Sequence, residues 1–321
     1  MSRSSIWAAA LLVLLAAAAV SCGDDTATDP GDPPAEPIAV SVTRDIPYMT
    51  DAQRWGFGGN VLSADSSTVM HRYVPEGEGP WPVVVLLHGG FQNAENMEAP
   101  ARAIAARGVI VYTPTYLHDL QADAEQVASG LWAGGTTVGD LSCAVRAASA
   151  DADEHGGAPD HLIVVGYSMG AGFGATVTLV GDDPERTEGT SGDCVVSEGS
   201  AVPAAFIGWE GPYDWEMLLG RDFPDTLDLA PEAVRAMSPL THAELQPGDR
   251  APAFHLRSGD RVWKGVPHAD YMDHLAAELT ETGWSVTTEV LPGRFHTDFV
   301  EAPFIPEMID LIVEVAYDPS E

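Results

Sequence analysis

Three nearly continuous apolar runs, at residues 83–87, 109–112 and 161–165, constrain the fold of this chain more than any other feature. A strand that is buried on both faces is apolar along its whole length, whereas a strand with one solvent face alternates. Amphipathic stretches of helical period lie between the runs, at 101–107 and 140–150. This alternation predicts an α/β fold, with a mostly parallel central sheet flanked by helices.

The second half of the chain continues the alternation. Three further strands are predicted at 204–209, 253–256 and 286–290, with helices at 271–280 and 306–317. The segment 211–250 differs, because tryptophan, leucine and phenylalanine are scattered there among prolines and acids. We predict that it leaves the sheet and forms a small cap. One domain over 45–321 is then expected, a size ordinary for an α/β fold.

The first residues are typical of an export signal. Arg3 supplies a positive charge, and the apolar stretch 6–20 is shorter than the roughly 20 residues of a membrane span. The stretch runs into Cys22 in a sequence that resembles a bacterial lipobox, where the cysteine becomes the lipid-bearing first residue. We predict a signal peptide over 1–21 and a cell-envelope lipoprotein on the periplasmic or surface side. The alternative is an ordinary secretory signal and a secreted protein.

The amino-acid composition limits the kinds of molecule that this chain is expected to bind. Residues 22–44 hold Cys22 and a stretch rich in proline and aspartate, which predicts a flexible tether. The chain has 48 acidic and 15 basic residues and a net charge of −33. Nucleic-acid binding is excluded, because phosphate contacts need a basic patch, and docking on anionic lipid is disfavoured. We expect a monomer that meets the membrane only through a lipid at Cys22.

The chain has three cysteines, Cys22, Cys143 and Cys194. If Cys22 carries lipid, the other two can pair in an oxidising compartment. The alternative is two buried free thiols. Neither cysteine lies in a CxxC or Cys/His cluster, so neither is predicted to bind a metal.

Residues 166–170 match the pattern G-x-S-x-G, with Ser168 at its centre. The pattern follows a buried strand and precedes a predicted helix, which is the context of a nucleophile elbow. A sharp strand-to-helix turn brings backbones together, and glycine leaves room beside the serine. The turn holds the Ser168 hydroxyl at a helix N-terminus, where the helix dipole favours developing negative charge.

The loop after the run 83–87 is also typical of an enzyme that uses a serine nucleophile. The run 83–87 leads into His88, two glycines and Phe91. A tetrahedral intermediate needs backbone N–H donors aimed at its oxyanion, and a glycine-rich loop can present them. We predict an oxyanion hole from the amide of Met169 with that of Gly90 or Phe91. His88 is interpreted as a loop-organising hydrogen bonder rather than a base.

The His-Gly-Gly loop and the later G-x-S-x-G pattern together resemble the α/β-hydrolase superfamily, within its esterase, lipase and dienelactone-hydrolase-like relatives. The resemblance covers about residues 45–318. It implies the chain order serine, acid, histidine, with the acid after the strand that follows the cap and the histidine after the last strand. A serine hydroxyl needs such a base, oriented by a carboxylate, before it is a good nucleophile.

Of ten histidines, His296 has the location that the resemblance implies, in a loop just past the last predicted strand. For the acid, Asp260 follows the strand 253–256 in a turn that resembles the Gly-x-x-Asp-x-x-Val-Pro turn of the family. The spacing departs from that turn, because Asp260 follows a glycine directly and the Val-Pro pair begins six residues later. Asp270 is the alternative acid.

No cofactor or metal is expected. A metal site from His268, Asp270 and His274 is disfavoured, because their spacing does not place all three on one helical face.

The sequence therefore predicts an exported serine esterase that acts on a small-molecule or lipid-like carboxylic ester. Ser168, His296 and Asp260 form its triad, and the reaction passes through an acyl-enzyme. Three alternatives stay open: a peptidase or amidase, a polyester or lipid hydrolase, and a non-catalytic surface-binding lipoprotein.

Overall fold

The computed structural model describes residues 30–50, 54–55, 61–62, 68–90, 92–116, 133–183, 190, 192–222, 231–248, 251–262, 267–301 and 304–319. The predicted signal peptide, Cys22 and Phe91 lie outside these ranges.

An eight-stranded sheet forms the centre of the described part of the chain. Its strands are β1 (Val40–Pro47), β2 (Val69–Pro75), β3 (Trp81–Leu87), β4 (Ile110–Pro114), β5 (Gly157–Tyr167), β6 (Ala205–Trp209), β7 (Ala253–Gly259) and β8 (Val286–Leu291). Their order in space is β1-β2-β4-β3-β5-β6-β7-β8. The strand β2 is antiparallel to both of its neighbours, and the remaining pairs are parallel. This arrangement confirms the prediction of a mostly parallel central sheet.

Helices cover both faces of this sheet. They are α1 (Glu98–Ala105), α2 (Ala133–Asp153), α3 (Met169–Val180), α4 (Trp215–Asp222), α5 (Pro231–Met237), α6 (Pro239–His242), α7 (His268–Thr282) and α8 (Pro306–Tyr317). One buried core joins the sheet to α2, α3 and α7, and a second joins its other face to α1 and α8. None of the helices in the described part is long and apolar enough to cross a bilayer.

The folded domain begins earlier than predicted. The strand β1 starts at Val40, and the Ile38 amide already donates to the Ala106 carbonyl at 2.9 Å. Val40 and Val42 pack against the core under α1 and α8. The predicted tether boundary at residue 44 is therefore wrong. Alternate side chains of β1 are apolar and pack against the core at the edge of the sheet.

The described parts of the segment 211–250 lie outside the sheet and hold α4, α5 and α6. It is anchored on α3. The Trp215 ring lies 5.0 Å from that of Phe173, and the Thr176 hydroxyl donates to the Met237 carbonyl at 2.7 Å. Its role as a cap over the site stays a prediction.

Cys143 and Cys194 form a disulfide, which confirms the predicted pair. Cys143 is fully buried in α2. Cys194 belongs to a two-residue strand that pairs with Met49–Thr50, just after β1. The bond therefore ties α2 to the short strand Asp193–Cys194, which in turn pairs with the segment that follows β1.

Removing this disulfide is expected to lower the free energy of unfolding by about 4 kcal/mol, since it closes a loop of 51 residues in the unfolded chain. Denaturant unfolding of the oxidised wild type, compared with the Cys143→Ala/Cys194→Ala double variant, measures the difference. A reducing agent should destabilise the wild type and leave the double variant unchanged. Equal stability of the two proteins would contradict the prediction.

Candidate active site

Ser168 lies at the sharp turn between β5 and α3. Its φ of 52° and ψ of −122° fall in a region that residues other than glycine rarely adopt. The Ser168 amide donates to the Trp209 carbonyl on the neighbouring strand at 2.9 Å, which holds the turn against the end of β6. The side chain therefore stands at the head of α3, beyond the carboxyl end of the sheet.

Two glycines make this turn possible. A Cβ on Gly166 would meet the Gly170 carbonyl oxygen and the backbone of Ala171. A Cβ on Gly170 would meet the carbonyl oxygens of Leu87 and His88. The contact at Gly170 brings the head of α3 directly against the loop that follows β3.

Gly170→Ala is expected to lower the free energy of unfolding by about 1–3 kcal/mol and to reduce activity, because a methyl group cannot enter the gap beside two carbonyl oxygens without moving the backbone. Thermal unfolding and ester hydrolysis measure the two effects. The matched control is Gly248→Ala, since a Cβ there meets no atom within 4 Å. A Gly170→Ala protein as stable and active as the control would contradict the expectation.

His296 lies in the loop after β8, and the residue is 4% exposed. The Nε2 atom is 2.9 Å from the Ser168 hydroxyl oxygen. The ring of Tyr167, the residue before the serine, lies 5.3 Å from the imidazole. The structure thus brings together the two residues that the sequence predicted as nucleophile and base.

The carboxylate that contacts His296 belongs to Glu210, not to Asp260. Glu210 directly follows β6, and its Oε2 is 3.2 Å from His296 Nδ1. Its Oε1 accepts from the Ser258 hydroxyl at 3.1 Å and from the Gly259 amide. With 1% exposure, this side chain is fully enclosed, and its oxygens are satisfied by hydrogen bonds.

Burial by itself raises the pKa of the Glu210 carboxyl. The hydrogen bonds from His296 and the Gly259 amide, with the charges of His268 and His296, outweigh burial and bring the pKa below its ordinary value of 4.5. Glu210 is therefore ionised at neutral pH and accepts a hydrogen bond from the Nδ1–H of His296. This assigns the Nδ1–H tautomer and leaves Nε2 free to accept the Ser168 hydroxyl proton.

Both predicted acids are wrong in this structure. Asp260 is exposed, and its Oδ1 accepts from the Gly293 amide at 2.8 Å, in the turn that leads to His296. Asp270 is exposed on the surface of α7. The prediction failed because it placed the acid after β7, whereas the structure places it one strand earlier, after β6.

One feature of the sequence could have drawn attention to Glu210, which directly follows the apolar run 204–209. Strands β5 and β6 are parallel neighbours, with Tyr167 opposite Trp209. Ser168 and Glu210 therefore follow equivalent positions, and both have a positive φ, 52° and 55°. A carboxylate placed immediately after the apolar strand that follows the nucleophile is the pattern to search for.

The loop after β3 is organised around His88. The Tyr116 amide donates to His88 Nε2 at 3.3 Å, and Nδ1 lies 2.8 Å from the Gly89 carbonyl oxygen. The Tyr116 hydroxyl donates to the His88 carbonyl. Burial lowers the pKa of His88 to about 4, so the ring is neutral. His88 thus holds the loop, and neither ring nitrogen is directed at Ser168.

Of the predicted oxyanion-hole residues, Gly90 and Met169 are described, and Phe91 lies outside the described part. Met169 is the first residue of α3, so its amide lies at the N-terminal end of the helix. The Gly170 contact places this end beside the loop that carries Gly90. A pair of backbone donors at this junction is compatible with the prediction.

One group of side chains in the described residues has the composition of a metal site. One donor atom from each of Glu210, His268 and His296 lies within 4.8 Å of the others. These side chains also hydrogen-bond to one another or to the Glu210 backbone. Asp270 and His274 are exposed and His268 is buried, so these three residues do not share one face of α7.

The chain has the α/β-hydrolase fold, as predicted. A scan against models of known protein families gave no match, and neither did a search of curated protein sequences. Solved structures of other proteins are similar to this chain in fold.

Three of the similar structures show how far the likeness extends. A bifunctional GH43-CE protein from Bacteroides eggerthii has a TM-score of 0.65 at 15% identity, over 87% of this chain and 38% of that one. Esterase B from Lactobacillus rhamnosis has a TM-score of 0.64 at 17% identity, over 88% and 86%. The carboxylesterase EstE1 from a metagenomic library has a TM-score of 0.59 at 18% identity, over 89% and 91%. This chain thus spans well under half of the first protein and most of the other two.

Proposed function

We propose that this protein is a serine hydrolase that cleaves carboxylic esters through a Ser168–His296–Glu210 triad. The observation that carries the proposal is the continuous hydrogen-bond path from the serine hydroxyl through both ring nitrogens to a buried carboxylate, at 2.9 and 3.2 Å. Two of the similar proteins are an esterase and a carboxylesterase, which supports an ester as substrate.

The reaction follows from the atoms in place. His296 Nε2 takes the proton of Ser168 while the serine oxygen attacks the ester carbonyl carbon. The ionised Glu210 stabilises the imidazolium that forms, and the amide of Met169, with that of Gly90 or Phe91, holds the oxyanion. When the tetrahedral intermediate collapses, the C–O bond to the alcohol breaks and the imidazolium protonates the leaving oxygen. In the second half of the reaction, water attacks the carbonyl carbon of the acyl-enzyme with His296 again as base. The bond to the Ser168 oxygen then breaks, His296 returns the proton to Ser168, and the carboxylic acid is released.

A fluorophosphonate probe tests the nucleophile. It should label the wild type at Ser168, located by mass spectrometry of the digested protein, and should not label Ser168→Ala. Ser200→Ala, at an exposed serine before β6, is the matched control and should label like the wild type. Absence of labelling at Ser168 in the folded wild type would overturn the enzyme proposal in favour of a non-catalytic binding protein.

The substrate class can be tested by varying the leaving group and the length of the acyl chain. We propose a small-molecule ester, so hydrolysis of short p-nitrophenyl esters should exceed that of aminoacyl anilides. Faster cleavage of the anilides would favour the peptidase or amidase alternative. A preference for long acyl chains or insoluble polyesters would favour the lipid or polymer hydrolase.

We also propose that the protein is exported and that Cys22 carries the lipid anchor. The Cys143–Cys194 disulfide supports export, because such bonds persist in oxidising compartments. Expression in a bacterial host should place the protein in the membrane fraction, and Cys22→Ala should release it. Accumulation of both forms in the cytoplasm would contradict the proposal.

A further inference from the structure

A second buried histidine lies beside the proposed triad. His268 is the first residue of α7 and is 5% exposed. Its Nδ1 is 3.1 Å from the Glu210 carbonyl oxygen and 3.8 Å from the Glu210 carboxylate. Its ring lies 4.7 Å from the ring of His296, tilted by 41°. The side chain therefore contacts both the acid and the base and does not belong to the path between them.

The backbone of Glu210 has an uncommon conformation that its hydrogen bonds hold in place. Its φ of 55° is uncommon for a residue with a side chain, and such conformations persist where the surroundings fix them. Its amide donates to the Arg257 carbonyl at 2.9 Å, and its carbonyl accepts from His268. Because the backbone conformation sets where the carboxylate starts, these two bonds determine how Glu210 meets His296.

His268 is itself held by a rigid element. The helix α7 has 15 residues, and its buried side packs against the sheet through Tyr271, Met272, Leu275 and Leu279. The Tyr271 ring meets the His268 ring edge to face at 5.9 Å. The position of the imidazole is thus fixed by the packing of a whole helix rather than by a loop.

The geometry points to His268 as a positioning residue for the hydrolytic reaction. Its Nδ1–H donates to the Glu210 carbonyl and fixes the backbone of that residue, so that the acid stays aligned with His296 and Ser168. This inference rests on the proposed function. It assigns a fourth side chain to the site, one that acts through Glu210.

Two substitutions separate the hydrogen bond from the ring. His268→Asn keeps an N–H donor near the Nδ1 position, whereas His268→Phe keeps a ring of similar size without the donor. Displacement of a catalytic group by about 1 Å costs on the order of 100-fold in rate. His268→Phe should therefore lower kcat about 10- to 100-fold with KM within about 2-fold, and His268→Asn should recover most of the loss.

The controls separate failure of this inference from failure of the proposed function. Wild-type protein that does not hydrolyse esters or label at Ser168 overturns the function. Active wild type with an unimpaired His268→Phe, or with His268→Asn as impaired as His268→Phe, overturns only the role of the hydrogen bond. His274→Asn, on the exposed side of the same helix, should behave as wild type. If His268→Phe fails to fold, His268→Gln replaces it, because its longer side chain carries the amide away from the Nδ1 position.

Discussion

Replacing Glu210 by glutamine is expected to lower kcat about 10³- to 10⁴-fold with little change in KM. The carboxylate holds the Nδ1–H tautomer of His296 and stabilises the imidazolium, and an amide does neither. Loss of the equivalent carboxylate charge in a serine protease has an effect of about 10⁴-fold. Steady-state kinetics on a p-nitrophenyl ester measure the change, with thermal unfolding to show that the variant is folded.

Asp260→Asn is the matched control for this substitution. Asp260 contacts the Gly293 amide at 2.8 Å rather than His296, and an asparagine oxygen can accept the same bond. We expect activity within about 10-fold of the wild type, because the loop before His296 keeps its anchor. If Asp260→Asn were inactive and Glu210→Gln active, the acid would be Asp260 and the assignment made here would fail.

Ser168→Ala and His296→Ala are each expected to lower kcat by about 10⁵- to 10⁶-fold, and the double variant should be no slower than either. The two side chains share one hydrogen bond of 2.9 Å, so removing either partner disables the same step. Single and double variants are compared on one ester under saturating conditions. Additive losses, with a double variant many orders of magnitude slower than both singles, would show that the residues act independently.

The parts of this fold that are apolar along their whole length could be predicted from the sequence. Strands β3, β4 and β5 were predicted from uninterrupted apolar runs, and the closing helix at 306–317 was predicted with its observed ends. Ser168 was found because the elbow needs glycines at fixed positions. His296 was found because it follows the last strand.

Other parts depend on partners that are distant in the sequence. The strand β2 contains Arg72, which a buried strand does not usually hold. Arg72 is tolerated because it forms a hydrogen-bonded ion pair with Asp151 on α2, at 2.6 and 2.8 Å, and Tyr112 also donates to Asp151. No local pattern reports such a network, so the strand was missed.

The acid was missed for a similar reason. Glu210 is one of 48 acidic residues, and only the pairing of β5 with β6 and the path of the loop after β8 bring it to His296. Asp260 had the better local pattern, and its actual partner is the loop backbone. Local sequence thus identified the nucleophile, whose geometry is set by adjacent residues, and not the acid, whose geometry is set by the sheet.

The disulfide has a consequence for the covalent topology of the chain. Cys143 and Cys194 close a ring of 51 peptide steps, and Ser168 lies inside it. A single proteolytic cut anywhere within this ring leaves both fragments joined through sulfur, so the nucleophile stays covalently connected to His296 and Glu210. A single cut between Glu210 and His296 instead divides the proposed triad between two separate chains. With the disulfide intact, a single cut therefore disconnects the site only if it falls between Cys194 and His296.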